Sequence, residues 1–158
     1  MNPLWLDDLA VGDRFRTDEY EITQEEILAF AGRYDPQPFH LDEEAAAGSF
    51  FQGLAASGWH TAAVTMRLIV TSGLPIATGI IGAGVELSWP SPTRPGDVVH
   101  AEITVTEITP SRSKPDRGFV TIGYETVTRT GEIRQRTTAT LLMFTRPSRP
   151  SPSDAPRS

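Results

Sequence analysis

An α+β fold, an antiparallel sheet wrapped around one long apolar helix, is what this 158-residue chain predicts. Three observations carry that expectation. The stretch "SGWHTAAVTMRLIVTSGLP" has helix start and stop signals and is apolar on nearly every face, the pattern of a buried helix. Four strand-like segments follow it, and Val99, Ala101, Ile103 and Val105 alternate with His100, Glu102, Thr104 and Thr106. The connections between those segments are short enough to be hairpins, which implies antiparallel pairing.

Taken in order, "DRFRTDEYEIT" reads as a first strand, with Phe15, Tyr20 and Ile22 as its larger apolar members. Thr23 and Glu26 have the spacing of a capping box, at N-cap and N3. Ile27, Phe30, Ala31 and Tyr34 then recur at i, i+3, i+4 and i+7, one stripe of a short amphipathic helix. Pro36 stops that helix at about Asp35, because the residue before a proline is driven out of the α region. A second short helix runs through "EEAAA", with Asp42 as its N-cap and Gly48 at its end. Ser57 is placed to cap the central helix, and Gly73 with Pro75 closes it. Trp59, Ala62, Val64, Met66, Leu68 and Val70 leave Arg67 as its only charge, so the sheet is expected to enclose it. Strands are expected at about 80–89, 98–109, 119–129 and 133–145, joined in turn by "SPTRPGD", "SRSKPDRG" and the hairpin "RTGE". The ending "PSRPSPSDAPRS" cannot supply core, so residues 1–146 are expected to form one domain and 147–158 a disordered tail.

Composition narrows the function. A formal net charge of −6 argues against a nucleic-acid partner. No apolar run approaches the ~20 residues that span a bilayer, so no membrane partner is expected. The segment "MNPLWLDDLAVGD" lacks the basic and apolar regions of a secretory signal, and the cytoplasm is the expected compartment. With no cysteine, the chain has no disulfide, thiolate nucleophile or cysteine zinc site.

The chemistry gathers in "RYDPQPFHLDEE", residues 33–44, where Asp35 and His40 stand five positions apart with Pro36 and Pro38 between them. Together, "FAGRYDPQPFHLDEEAA" and "ASGWHTAAVTMRL" resemble the MaoC-like dehydratases, which include the (R)-specific enoyl-CoA hydratases. The signature is an Asp, a proline-containing turn, a His five residues on, and a glycine at the start of the central helix. Here these are Asp35, Pro38, His40 and Gly58. "SPTRPGDVVHAEITV" resembles the family's turn into its second long strand. Where the hydratases usually carry Asn two residues after the Asp, this chain has Gln37.

The resemblance implies a hot-dog fold, a homodimer or higher homo-oligomer, and reversible hydration of a 2-enoyl-CoA to an (R)-3-hydroxyacyl-CoA. Coenzyme A would enter only as part of the substrate, with no cofactor and no metal. Such a reaction needs a base for water, an acid for the α carbon, and donors for the charge on the thioester oxygen. Asp35 and His40 suit the two proton transfers, since histidine titrates near pH ~6.5. Gly58 suits the third task, because the first N–H groups of a helix lack intrahelical partners and a glycine admits close approach. Gln37, Ser57 and Trp59 are the expected substrate contacts.

Each assignment has a plainer rival. Asp35 also reads as the start of an Asp-Pro turn, and Gly58 as a packing glycine. Ser57 reads as a cap and not a nucleophile, since no Gly-x-Ser-x-Gly elbow surrounds it. His60 reads as a satisfied core histidine and His100 as a solvated one. His40 with Asp42 has a metal-like spacing, but two ligands make no site. Arg112, Lys114 and Arg117 are either phosphate contacts or a solvated hairpin tip. A hot-dog thioesterase remains an alternative, against which stands the lack of Asp or Glu in residues 58–72. A non-catalytic acyl-thioester-binding subunit is a second, although both Asp35 and His40 are present.

Overall fold

Alternation along the chain is realised as one six-stranded antiparallel sheet in the computed structural model, which describes residues 2–148. Its strands are β1 (Arg14–Arg16), β2 (Tyr20–Glu21), β3 (Ile81–Ser88), β4 (Val98–Pro110), β5 (Arg117–Thr128) and β6 (Ile133–Phe144). They lie in the order β1-β4-β5-β6-β3, with β2 also paired to β4. Four helices cover one face: α1 (Gln24–Tyr34), α2 (Pro38–Leu41), α3 (Glu43–Ala47) and α4 (Gly58–Leu68). A π-helical turn, Ile69–Gly73, prolongs α4.

Local signals act as expected at the helix ends. The Thr23 hydroxyl accepts from the Glu26 N–H while the Glu26 carboxylate accepts from the Thr23 N–H, closing the capping box. Asp42 caps α3 by accepting from the Ala45 N–H at 2.7 Å. Ile27 and Ala31 are fully buried, and Ile27 joins Ile22, Leu54, Val64, Leu68 and Val99 in one core. Burying a side chain such as Ile27 is worth ~1.5–3 kcal/mol. A second core lies between Ile69, Leu74 and the inward residues of β4, β5 and β6.

Several expectations are corrected. The first strand is two short pieces, β1 and β2, both on β4. "SPTRPGD" is not a hairpin, because β3 pairs with β6 at the opposite end of the sheet from β1. Turn residues fix where the chain bends but not which edge it joins. The central helix is not enclosed on every face: Trp59, Met66 and Val70 are 60%, 42% and 50% exposed. His100, expected to be solvated, is buried, with Nε2 3.1 Å from Glu102 Oε1. The expected tail, 147–158, falls from residue 149 outside the described residues.

His60 is buried on α4 and stacks on Phe30 with centroids 4.8 Å apart, but its Nδ1 has no partner and is not satisfied as expected. Burial holds its imidazole below the ordinary value, with the Glu26 carboxylate pulling the other way. The unfolded chain therefore binds a proton below about pH 6.5 that the folded protein resists. This part of the stability is full above about pH 6.5 and declines as pH falls. His60→Phe, which keeps a ring on Phe30, should lose less melting temperature than wild type between about pH 7 and about pH 5. Thermal unfolding followed by circular dichroism checks this, and equal losses would exclude His60 as the source.

Candidate active site

The site begins where α1 is forced to stop. Asp35 sits at its C-cap with φ −150° and ψ 68°, and Pro36 cannot continue the helix. Pro38 then opens α2, where a missing N–H leaves no bond unmade. What reads in sequence as a stiff loop is thus a turn followed by one helical turn. That turn carries His40 inward, where its side chain is buried.

Two hydrogen bonds orient the imidazole and the carboxylate. His40 Nδ1 lies 2.7 Å from the Ala55 carbonyl. A carbonyl only accepts, so Nδ1 carries a proton and Nε2 is the free nitrogen of the neutral ring. Nε2 stands 3.3 Å from Asp35 Oδ2. The Ser57 hydroxyl donates to that same Oδ2 at 2.7 Å, and Gln37 Nε2 donates to Oδ1 at 2.7 Å. Gln37 therefore reaches the carboxylate directly. Burial pushes the Asp35 carboxyl up, but the Ser57 and Gln37 hydrogen bonds and the nearby His40 outweigh it and hold it below its ordinary value.

Ser57 departs from expectation. It occupies the N-cap position, yet its side chain makes no capping bond and is spent on Asp35. It is fully buried and does not line the cavity. The Gly58 and Trp59 N–H groups that follow begin α4 and have no intrahelical acceptor. A cavity of about 570 Å³ brings Asp35, Gln37 and His40 together with Gly58 and Trp59. Its walls are aromatic and include Phe39, Phe51 and Trp89.

Trp89 is the lining residue that sequence reading passes over as the end of a strand. A methyl group on Gly58 would lie 2.6 Å from Trp89 Cε2, so the ring already covers that side of the glycine. A glycine at a helix start is itself the signal of a close approach, without naming the neighbour. Other candidates lie apart. Asp42 is occupied as a cap, and Arg117 pairs with Asp116 and stacks on Phe144. Arg112, Lys114 and Arg117 do not line the cavity. Among the described residues no group of three or more His, Cys, Asp or Glu is arranged to hold a metal ion.

The sequence model of the MaoC like domain matches residues 8–130. The chain belongs to the MaoC-like family. Its sheet and central helix are the hot-dog fold, although the helix is 11 residues of α-helix and five of π-helix. A solved MaoC-like dehydratase from Rhodospirillum rubrum is 63% identical, with a TM-score of 0.91 over 92% of this chain and 99% of that one. The uncharacterized protein YdeM of Bacillus subtilis (strain 168) is 32% identical over 120 residues, 74% of this chain and 82% of its own. A 3-hydroxybutyryl-CoA dehydratase of Methylorubrum extorquens is 31% identical over 112 residues, 70% of this chain and 69% of its own.

Ser57→Ala removes one of the two side-chain donors on Asp35, so the carboxyl should titrate at higher pH than in the wild type. Side-chain carboxyl chemical shifts followed through an acid titration measure it. The depressed value adds stability above the ordinary carboxylate range that is lost as pH falls through the folded value, and Ser57→Ala should lessen that acid sensitivity. An unmoved Asp35 titration would contradict the role of Ser57.

Proposed function

We propose that this MaoC-like chain is a hydro-lyase that reversibly adds water to a 2-enoyl-CoA, giving an (R)-3-hydroxyacyl-CoA. One observation supports this above the others. A carboxylate oxygen and a ring nitrogen, both acceptors, face each other at 3.3 Å beside a cavity that also reaches the start of α4. Two acceptors so placed attract a group that donates to both, and a water molecule has two protons to give.

The reaction follows from that placement. Water held by Asp35 and His40 loses a proton to the pair as its oxygen bonds to the β carbon of the enoyl group. The displaced electron pair moves to the thioester oxygen, where the Gly58 N–H and the helix dipole hold the enolate charge. The pair then returns a proton to the α carbon, so water is added with no net change in the protein. Dehydration runs the same steps backwards. Proton transfer and hydrogen bonding suffice, so no metal or cofactor beyond the substrate's own coenzyme A enters. The Methylorubrum relative, named for dehydration of 3-hydroxybutyryl-CoA, supports the substrate class.

Incubation with crotonyl-CoA tests the reaction class. The enoyl absorbance should fall with no free thiol. Thiol release would replace hydration with thioester hydrolysis, and silence across enoyl thioesters would favour a binding subunit. Asp35→Asn and His40→Ala should each lower kcat by about two to four orders of magnitude in protein that stays folded. Their effects should not add, since either loss disables one shared water. A folded Asp35→Asn protein with full activity would sink this mechanism.

The chain is also proposed to form a homodimer through the β3 edge. Ile81 and Val85 on that strand are 41% and 59% exposed, and β3 stands at the end of the sheet with β6 as its one strand partner among the described residues. An exposed apolar edge strand is a pairing surface. Val85→Lys should shift the mass seen by sedimentation from dimer toward monomer. An unchanged dimer would place the interface elsewhere.

A further inference from the structure

Trp89 has no part in the proton transfers, yet three separate contacts hold it in the cavity wall. Its ring covers Gly58, where an added methyl would meet Cε2 at 2.6 Å and Cδ2 and Cζ2 at 2.8 Å. Its Nε1–H donates at 3.0 Å to Oε1 of Gln135, a fully buried residue of β6 whose own amide donates to Thr137 at 3.0 Å. Trp59 packs against it edge to face, with centroids 5.4 Å apart and planes at 81°. Swinging the indole away breaks the bond to Gln135 and leaves a buried amide oxygen unpaired, a costly change. Pro90, next in sequence, further restricts the Trp89 backbone.

This placement bears on what the cavity accepts. Anything whose oxygen is held by the Gly58 N–H lies beside the indole, because amide and covered Cα belong to one residue. The α and β carbons next to that carbonyl must then reach the Asp35–His40 pair, which lines the same cavity as the indole. A Leu or Met at this wall would turn aside for a longer chain. An indole bonded to Gln135 and packed on Gly58 keeps its place, although 42% of it is exposed.

We propose that Trp89 is a specificity-determining residue that limits the acyl group of the thioester to a short, straight chain. The inference rests on the acyl-thioester reading of the site, and its test is arranged to separate the two. Butyryl-CoA and octanoyl-CoA are saturated and cannot be hydrated, so calorimetric titration reads fit without catalysis. Wild type should bind butyryl-CoA at least about tenfold more tightly than octanoyl-CoA, in line with what a tight apolar pocket achieves. Trp89→Ala should shift that ratio at least about tenfold toward octanoyl-CoA. An unchanged ratio overturns the role of Trp89 and leaves the hydratase reading standing. If neither thioester binds wild type, both readings are overturned together.

Stability supplies a second arm. Gly58→Ala should lower the melting temperature by driving a methyl into the indole, and Trp89→Ala in the same chain should recover part of that loss. Additive losses would mean that Trp89 is not what the glycine makes room for. If Trp89→Ala does not fold, Gln135→Leu frees the indole without removing it. That variant should narrow the butyryl-to-octanoyl ratio, and an unchanged ratio there overturns the proposal equally.

Discussion

A 2.7 Å hydrogen bond from Ser57 to Asp35 ties the start of the central helix to the end of α1, 22 residues away in sequence. The rest of the site is arranged around that tie. Two residues earlier, the Ala55 carbonyl holds His40, so one short segment positions both the carboxylate and the imidazole. The segment is itself anchored to the other side of the cavity, where the Ala56 N–H donates to the Thr93 carbonyl at 2.9 Å. A half-buried carboxylate is costly unless its oxygens are paired, and here both have donors from the protein alone. Asp35 is therefore kept ionised and aimed without help from a ligand.

The start of α4 serves several demands at once. Ser57 gives up side-chain capping in favour of Asp35, which leaves the first amides of the helix for something in the cavity. Gly58 carries no side chain, and the space beside it is filled by Trp89. Both departures from an ideal helix start occur where chemistry is proposed. Local rules are expected to yield at such sites, with the cost met by packing elsewhere.

The sheet shows a related tension. β4, β5 and β6 supply the inward-facing core, whereas β3 stands at the edge with Ile81 and Val85 exposed. The exposed flank of α4 and its π-helical turn, with Trp59, Met66 and Val70, adds to the apolar surface a lone chain leaves open. Exposed patches of this kind mark interaction surfaces more often than they mark poor design.

Much of this protein was legible in its residues. Thr23 with Glu26, Pro36 after Asp35 and Asp42 before "EEAAA" set the ends of α1 and α3, because caps and proline act within four residues of themselves. The period-2 run of Val99, Ala101, Ile103 and Val105 located β4 for the same local reason, and turn signals bounded the other long strands. The motif spacing brought Asp35 and His40 into consideration, and its family resemblance supplied their role. Tertiary structure alone decided the partners. It sent β3 to β6 and not to β4, turned Ser57 from cap to carboxylate donor, buried His100, and set Trp89 on Gly58 with Gln135 46 residues away as its anchor. Caps, breaks and alternation are energies of neighbouring residues. Which distant surface fills a glycine's missing side chain is settled only when the whole core packs.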